Sequence, residues 1–165
     1  MDHGQLLVAV PGMLDPNFDA TVVYLFDTTD GAAGLILNRP TDIPVADVLP
    51  DLSEAAAIPA VVFHGGPVMV DHGLVLGVTN TAITVLDTEA ASDSDPKSLR
   101  VFAGYAGWEI GQLEAEISAG GWFTVTNSPA DVLTVDPGGL WRAVFARQPG
   151  PLNRYRTYPD DPRLN

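Results

Sequence analysis

Short apolar runs separated by glycine, proline, asparagine and aspartate fill the first half of the chain, a pattern that predicts β-strands joined by tight turns. Residues 21–26 (TVVYLF) are β-branched and aromatic, with apolar side chains at consecutive positions. This run is therefore predicted to be a central strand covered on both faces. A turn at residues 28–31 leads into a second strand at residues 33–38, and the two predict a β-hairpin.

Further strands and one short helix complete the prediction for this half. The strands are expected at residues 6–10, 61–63, 73–78 and 82–86, the last two as a hairpin. A helix of about one and a half turns is expected at residues 44–49, because Pro44 suits a first helical position.

Helical periodicity enters in the second half of the chain. Ile110, Leu113 and Ile117 fall on one stripe of a helix predicted for residues 109–119, which Gly120 and Gly121 end. The other elements expected here are strands at residues 99–103 and 122–126, a helix start at 128–131 and an amphipathic helix around 140–145. Since strands come first and helices later, the chain is predicted to be α+β.

The length of 165 residues fits one domain, which we place at residues 1–150. The acidic, small-residue stretch at 87–96 is expected to be a solvated loop. The polar, proline-rich tail at 151–165 is expected to be poorly ordered or to lie on the surface.

Charge and composition exclude several classes of function. Eight basic against 21 acidic residues give a net charge of −13, which argues against direct nucleic-acid binding and against adsorption to anionic lipid. The absence of cysteine excludes disulfides and thiol catalysis. No signal segment and no apolar run long enough for a membrane span is present, so we expect a cytoplasmic protein without membrane contact.

Motifs for cofactor and nucleophile chemistry are also missing. Lys97 follows no glycine-rich phosphate loop, and no Gly-x-Ser-x-Gly elbow accompanies the His64-Gly65-Gly66 sequence. The three histidines, His3, His64 and His72, lack metal-ligand spacing. We therefore expect neither a metal nor another cofactor.

Four clusters rich in glycine, proline and aromatic residues stand out. They lie at residues 11–18, 34–40 (GLILNRP), 64–68 (HGGPV) and 104–116 (GYAGWEIGQLEAE). In this order they resemble the YqgE/AlgH family of small bacterial proteins, over about residues 4–145. The resemblance implies an α+β fold with a coiled and bifurcated, mainly antiparallel sheet, a barrel-like core and flanking helices. Members of the family often carry a transcriptional-regulator label, and the stretch 89–96 and the tail depart from the family pattern.

The same clusters supply candidate ligand-binding residues. Arg39 offers a planar fork for an anion, the Gly65-Gly66 amides offer an anion nest, and Tyr105 and Trp108 offer flat apolar surface. The full candidate set is Asn38, Arg39, Gly65, Gly66, Tyr105, Trp108 and Gln112. A purely structural interpretation stays open: a Gly-Gly-Pro turn, a core Trp108, and an Arg39 paired with Glu114 or Glu116.

These residues favour a non-catalytic binding or regulatory module for a small ligand or a protein partner, acting as a monomer or weak homodimer. The alternative is an enzyme whose class is left open, with hydrolysis as one option, in which Asp15 or Glu109 is the general base and Arg39 stabilises charge. A third hypothesis, DNA binding, depends on Arg142 and Arg147 together with the tail residues Arg154, Arg156 and Arg163, and the net charge opposes it.

Overall fold

Nine β-strands and five short α-helices make up the part of the chain that the computed structural model describes, residues 2–159. The strands are β1 (Gln5–Ala9), β2 (Val22–Asp27), β3 (Ala32–Ile36), β4 (Pro40–Pro44), β5 (Val61–His64), β6 (Val68–Val78), β7 (Ile83–Asp87), β8 (Ser98–Trp108) and β9 (Trp122–Thr126). The α-helices are α1 (Val45–Val48), α2 (Thr88–Ser94), α3 (Gln112–Ser118), α4 (Pro129–Val132) and α5 (Leu140–Ala146). Shorter 3-10 helices span Pro50–Ala55, Pro137–Gly139 and Gly150–Thr157.

All the strands join one large sheet, and its pairing is mostly antiparallel. The strand order is β4-β5-β8-β3-β2-β1-β9, and β6 pairs with both β8 and β7. The predicted hairpins β2–β3 and β6–β7 both form, and β5 with β8 is a parallel pair. The α+β prediction is confirmed.

The long strand β8 is where the sheet divides. Ala103 pairs with His64 of β5 and with Gly73 of β6, so these two strands lie on opposite edges of β8. Further along, residues 106–108 of β8 pair with β3 instead of β5. The sheet is therefore bifurcated, as the resemblance implied. It is not closed into a barrel within residues 2–159, because β4 and β9 stand at the two ends of the strand order.

The central strands bury both of their faces, as the sequence predicts. In β1, Leu6 and Val8 belong to an apolar cluster that includes Trp141 and Phe145 of α5. The alternate residue Leu7 belongs to a second cluster with Trp108 and Trp122, on the side of α3. Side chains alternate across a strand, so β1 to β3 form the middle layer between α5 and α3.

Arg100 of β8 is buried, and no carboxylate within residues 2–159 pairs with it. Its guanidinium donates to the carbonyl oxygens of Thr134 (2.8 Å) and Ile58 (2.9 Å) and lies 4.3 Å from the centre of the Phe63 ring. Burial lowers the pKa of Arg100 to about 10, so the side chain is still charged at neutral pH. It ties two distant loops to the sheet through hydrogen bonds to a charged donor.

The acidic stretch at 87–96 is not a loop, which corrects the prediction. Residues 88–94 form α2, and the Asp87 carboxylate caps this helix by accepting from the backbone N–H of Ala90 (2.8 Å). Ala91 is fully buried in a cluster with Val75 and Leu99. Capping and tertiary packing outweigh the acidic composition.

Helix α3 begins later than predicted, at Gln112. Gly111 adopts φ +80° immediately before it, which interrupts helical geometry between Ile110 and the helix. Ile110 is 80% exposed, so it does not share the buried stripe with Leu113.

Residues 150–157 of the predicted tail form a 3-10 helix. Tyr155 packs 5.3 Å from Phe145 and Tyr158 packs 6.2 Å from Trp141, ring centre to ring centre. The tail was expected to be poorly ordered or to lie on the surface, and as far as Pro159 it lies on the surface. Residues 160–165 lie outside the described part. No helix of the described chain has the length and apolar content needed to cross a bilayer.

Candidate functional site

A groove crosses the surface where the β2–β3 turn, the end of β8 and the start of α3 meet. It has two compartments that share Gly107, Trp108 and Gln112. The Tyr105 compartment has a volume of about 540 Å³, and Asp27, Asp30 and Glu109 stand on its walls. The Phe18 compartment has a volume of about 390 Å³ and is walled by Met13, Asp15 and Trp122. Together the two compartments are called the Trp108 groove here.

Glu116 fixes the aromatic floor of this groove. Its Oε2 accepts hydrogen bonds from the indole N–H of Trp108 (3.0 Å) and of Trp122 (2.9 Å), and its Oε1 accepts from the Gln112 amide (3.0 Å). Phe18 stacks on Trp108 at 5.8 Å and meets Trp122 edge-on at 5.4 Å. Because the half-buried carboxylate satisfies both indoles, the rings are held in one arrangement.

The groove is acidic. Among the described residues that line it, the charged ones are Asp15, Asp27, Asp30, Glu109 and Glu116, and none is lysine, arginine or histidine. The backbone N–H of Thr29 donates to the Asp27 carboxylate (2.9 Å) and lowers the pKa of Asp27, which keeps it ionised. The electrostatic field of the groove therefore favours cationic groups.

Three of the predicted site residues meet in this groove. Tyr105, Trp108 and Gln112 all line the Tyr105 compartment. Trp108 is also a core residue, only 5% exposed, as its structural interpretation predicted. Its role in ligand binding stays a prediction. The Gln112 side chain accepts from the backbone N–H of Glu109 (3.0 Å) and so shapes the turn into α3.

Asn38 and Arg39 lie elsewhere and hold the loop that precedes β2. The Arg39 guanidinium donates to the carbonyl oxygens of Pro16 (3.0 Å) and Asp19 (2.9 Å). The Asn38 amide donates to the carbonyl of Ala20 (2.8 Å) and accepts from the N–H of Val22 (3.0 Å). Arg39 does not line the Trp108 groove, so it shares no cavity with the rings of Tyr105 and Trp108. The pairing of Arg39 with Glu114 or Glu116 is also not observed, because its guanidinium donates to these two carbonyl oxygens instead.

Asn38 does line a separate pocket of about 340 Å³, together with Trp141 and Tyr158. The Arg142 side chain, which also lines this pocket, donates to the carbonyl of Tyr158 (2.9 Å).

Gly65 and Gly66 mark a close crossing of two backbones. A Cβ atom at Gly65 would lie 2.2 Å from the carbonyl oxygen of Gly104, and one at Gly66 would lie 2.1 Å from the carbonyl carbon of Tyr105. The Gly65 N–H donates to the carbonyl of Ala103 (2.9 Å), so this amide serves the sheet. The absence of side chains here is required by packing against β8, and the segment is a close strand crossing rather than the expected Gly-Gly-Pro turn.

The three residues proposed for the enzyme alternative do not lie in one cavity. Asp15 lines the Phe18 compartment and Glu109 the Tyr105 compartment, whereas Arg39 lines neither. Within residues 2–159, no three His, Cys, Asp or Glu side chains are placed to hold a metal ion.

Several arginines of the basic patch on which the DNA-binding hypothesis depends form hydrogen bonds within the protein. Arg147 forms a bidentate ion pair with Asp131 at 2.6 Å. The Arg154 guanidinium donates to the Tyr155 hydroxyl (2.7 Å), and Arg156 donates to Asn153. Arg163 lies outside the described residues.

Sequence reasoning missed the roles of Asp27, Asp30 and Glu116 in the groove. Gln112 and Glu116 are four residues apart on α3, a spacing that brings two side chains into contact. That spacing, on a helix that follows Trp108 closely in sequence, was the signal that could have indicated the contact between Gln112 and Glu116. Asp27 and Asp30 carried no signal, because acidic residues are ordinary in hairpin turns.

The AlgH-like family model (DUF179) matches residues 6–153 of this chain. The chain belongs to the AlgH-like family. It is 44% identical to a UPF0301 protein from Streptomyces avermitilis and 41% identical to one from Thermobifida fusca, with 98% of this chain and 94% of each relative covered. Neither name states a ligand or a reaction.

Two solved structures share the fold. The crystal structure of a Corynebacterium diphtheriae protein superposes with a TM-score of 0.83 at 29% identity, covering 94% of this chain and 91% of the other. The solution structure of the AlgH protein from Pseudomonas aeruginosa has a TM-score of 0.70 at 32% identity, covering 96% and 95%. The resemblance to the YqgE/AlgH family seen in the sequence is confirmed.

Proposed function

We propose that this AlgH-like chain is a binding protein and that the Trp108 groove is its recognition surface. The observation that carries the proposal is the floor of the groove, where Glu116 holds the indoles of Trp108 and Trp122 at 3.0 and 2.9 Å. The two indoles are almost fully buried, and the half-buried ring of Phe18 packs on both of them. Because Phe18 is held in this way, it loses little side-chain entropy when a ligand binds against it. Such a surface is suited to recognition.

The middle of the groove is open at Gly107. This glycine is exposed, lies in β8, and lines both compartments. A Cβ atom built there would be 3.5 Å from the Tyr105 ring and 3.7 Å from Val68, which is ordinary contact. A larger side chain at position 107 therefore enters the groove without displacing the backbone.

This geometry defines a blocking variant, Gly107→Leu. We screen the wild-type protein for thermal stabilisation by nucleotides, acidic metabolites, amines and short peptides, and then repeat each hit on the variant. A ligand at about 100 times its Kd stabilises by about 2.7 kcal/mol, so a hit is a clear rise in Tm. We expect Gly107→Leu to lose the stabilisation while keeping its own unliganded Tm within a few degrees.

Gly138→Leu is the matched control, because the nearest atom to a Cβ there is 3.9 Å away and the residue lies outside the groove. This control is expected to keep the response to ligand. The proposal is wrong if no compound stabilises the wild type, or if every hit stabilises Gly107→Leu as strongly as the wild type.

A further inference from the structure

The walls of the Trp108 groove carry negative charge and its floor is apolar. Asp27, Asp30 and Glu109 are exposed and line the compartment that also contains the half-buried ring of Tyr105. A guanidinium or ammonium group over such a ring gains from the ring quadrupole as well as from the carboxylates. The groove therefore has the chemistry of a site for a basic side chain.

Two nearly bare apolar side chains flank the groove in sequence. Leu14 is 96% exposed and stands between Met13 and Asp15, which line the Phe18 compartment. Ile110 is 80% exposed and follows Glu109, which lines the Tyr105 compartment. Large apolar residues exposed beside a groove are typical of surfaces that a protein partner covers.

The two compartments are adjacent, because the exposed residues Gly107 and Gln112 line both of them. An extended ligand that crosses these two residues contacts both compartments. The Phe18 compartment presents the half-buried side chains of Phe18 and Met13 to an apolar side chain. A peptide with a basic residue near an apolar one places one group in each compartment.

We infer that the Trp108 groove takes a basic, extended segment of a partner protein, with an arginine or lysine in the Tyr105 compartment and an apolar side chain in the Phe18 compartment. This inference rests on the proposed function and names the class of its ligand. Charge complementarity selects this occupant, because no basic residue lines the groove in the described chain.

The test uses three fluorescent peptides of one length, each with a leucine and two variable positions. The variable residues are arginine, its neutral isostere citrulline, or glutamate, and binding is followed by fluorescence anisotropy. We expect the arginine peptide to bind about tenfold more tightly than the citrulline peptide at low salt, and the glutamate peptide to bind weakest. The preference for arginine should shrink as NaCl rises from about 20 mM to about 500 mM.

A triple variant, Asp27→Asn, Asp30→Asn and Glu109→Gln, is expected to lose the preference for arginine. The matched control removes three exposed acids elsewhere, by Asp47→Asn, Asp51→Asn and Glu54→Gln, and is expected to keep it. An equal loss in both variants means that the overall charge of −13 attracts the peptide, and this overturns the inference.

The other outcomes separate the inference from the proposed function. Citrulline binding equal to arginine binding, with both lost in Gly107→Leu, overturns the inference and leaves the groove as the binding site. Arginine-peptide binding that Gly107→Leu does not alter overturns the inference, and the thermal screen then decides the proposed function. Failure of all three peptides overturns the inference, while the thermal screen still decides the proposed function. Concentration-dependent self-association that Gly107→Leu abolishes identifies a second copy of the chain as the occupant, which also overturns the inference.

Discussion

Glu116 is the residue on which the geometry of the groove depends. Its two carboxylate oxygens accept three hydrogen bonds, from Trp108, Trp122 and Gln112. A glutamine at this position would have only one acceptor oxygen, and its NH2 group would face one of these N–H donors. Replacement by glutamine therefore leaves at least one donor without an acceptor.

We expect Glu116→Gln to lower the free energy of unfolding by about 1–3 kcal/mol, measured by urea denaturation. Glu114→Gln is the control, because Glu114 is exposed on the same helix and should cost no more than about 0.5 kcal/mol. Equal effects of the two substitutions would contradict the role given to Glu116.

At the scale of single residues, the sequence identified the groove side chains whose type is informative. Tyr105 and Trp108 stood out as aromatic residues among glycines, and the structure places both at the groove. The contacts of Arg39 were not predicted, because its partners are backbone carbonyl oxygens of a loop about 20 residues away, and no side-chain pattern records such contacts.

At the scale of elements, the crossing of the Gly65-Gly66 segment over β8 fixes how the sheet divides. Gly65 donates to Ala103 of β8 and accepts from Ile36 at the end of β3, so it lies between these strands. The space for a side chain at this point is taken by the Gly104 carbonyl.

We expect Gly65→Ala to destabilise the protein by about 1–3 kcal/mol or more, because the added methyl group meets backbone that cannot move freely. The measurement is Tm by circular dichroism. Gly138→Ala, where a Cβ meets no atom nearer than 3.9 Å, should leave Tm within about 2 °C. A Gly65→Ala protein as stable as this control would show that the crossing is not tight.

The elements that were predicted correctly are those with strong local patterns. Strands β2 and β9 are runs of apolar and β-branched residues bounded by turn residues, close to where they were predicted. Strand β6 was predicted only from residue 73, and it begins at Val68 with four exposed residues, 69–72, that lie outside the apolar run. Helix α2 and the 3-10 helix at Gly150–Thr157 were missed, because short helices depend on tertiary contacts that the local sequence does not record. In these two cases the contacts come from Ala91 and from Tyr155.

At the scale of the whole molecule, an excess of negative charge surrounds a groove that is itself acidic. The net charge of −13 repels anionic ligands at long range and draws basic ones toward the protein. This effect is screened within about 10 Å at roughly 0.1 M salt, whereas the groove acts at contact distance. Raising the salt concentration therefore weakens the long-range attraction more than the contacts in the groove, and substitutions in the groove weaken only the contacts.

The three tryptophans of the chain provide the most direct measurement of where binding occurs. The indole N–H groups of Trp108 and Trp122 both donate to Glu116 at the groove, whereas that of Trp141 donates to the carbonyl of Ala9 in the core (2.9 Å). Three indole signals are therefore expected in a ¹H–¹⁵N NMR spectrum. When the arginine peptide is titrated at about 0.15 M NaCl, binding in the Trp108 groove predicts that the signals of Trp108 and Trp122 shift together and that of Trp141 stays in place. Peptide binding that moves the Trp141 signal and leaves the other two unchanged would contradict a recognition site at this groove.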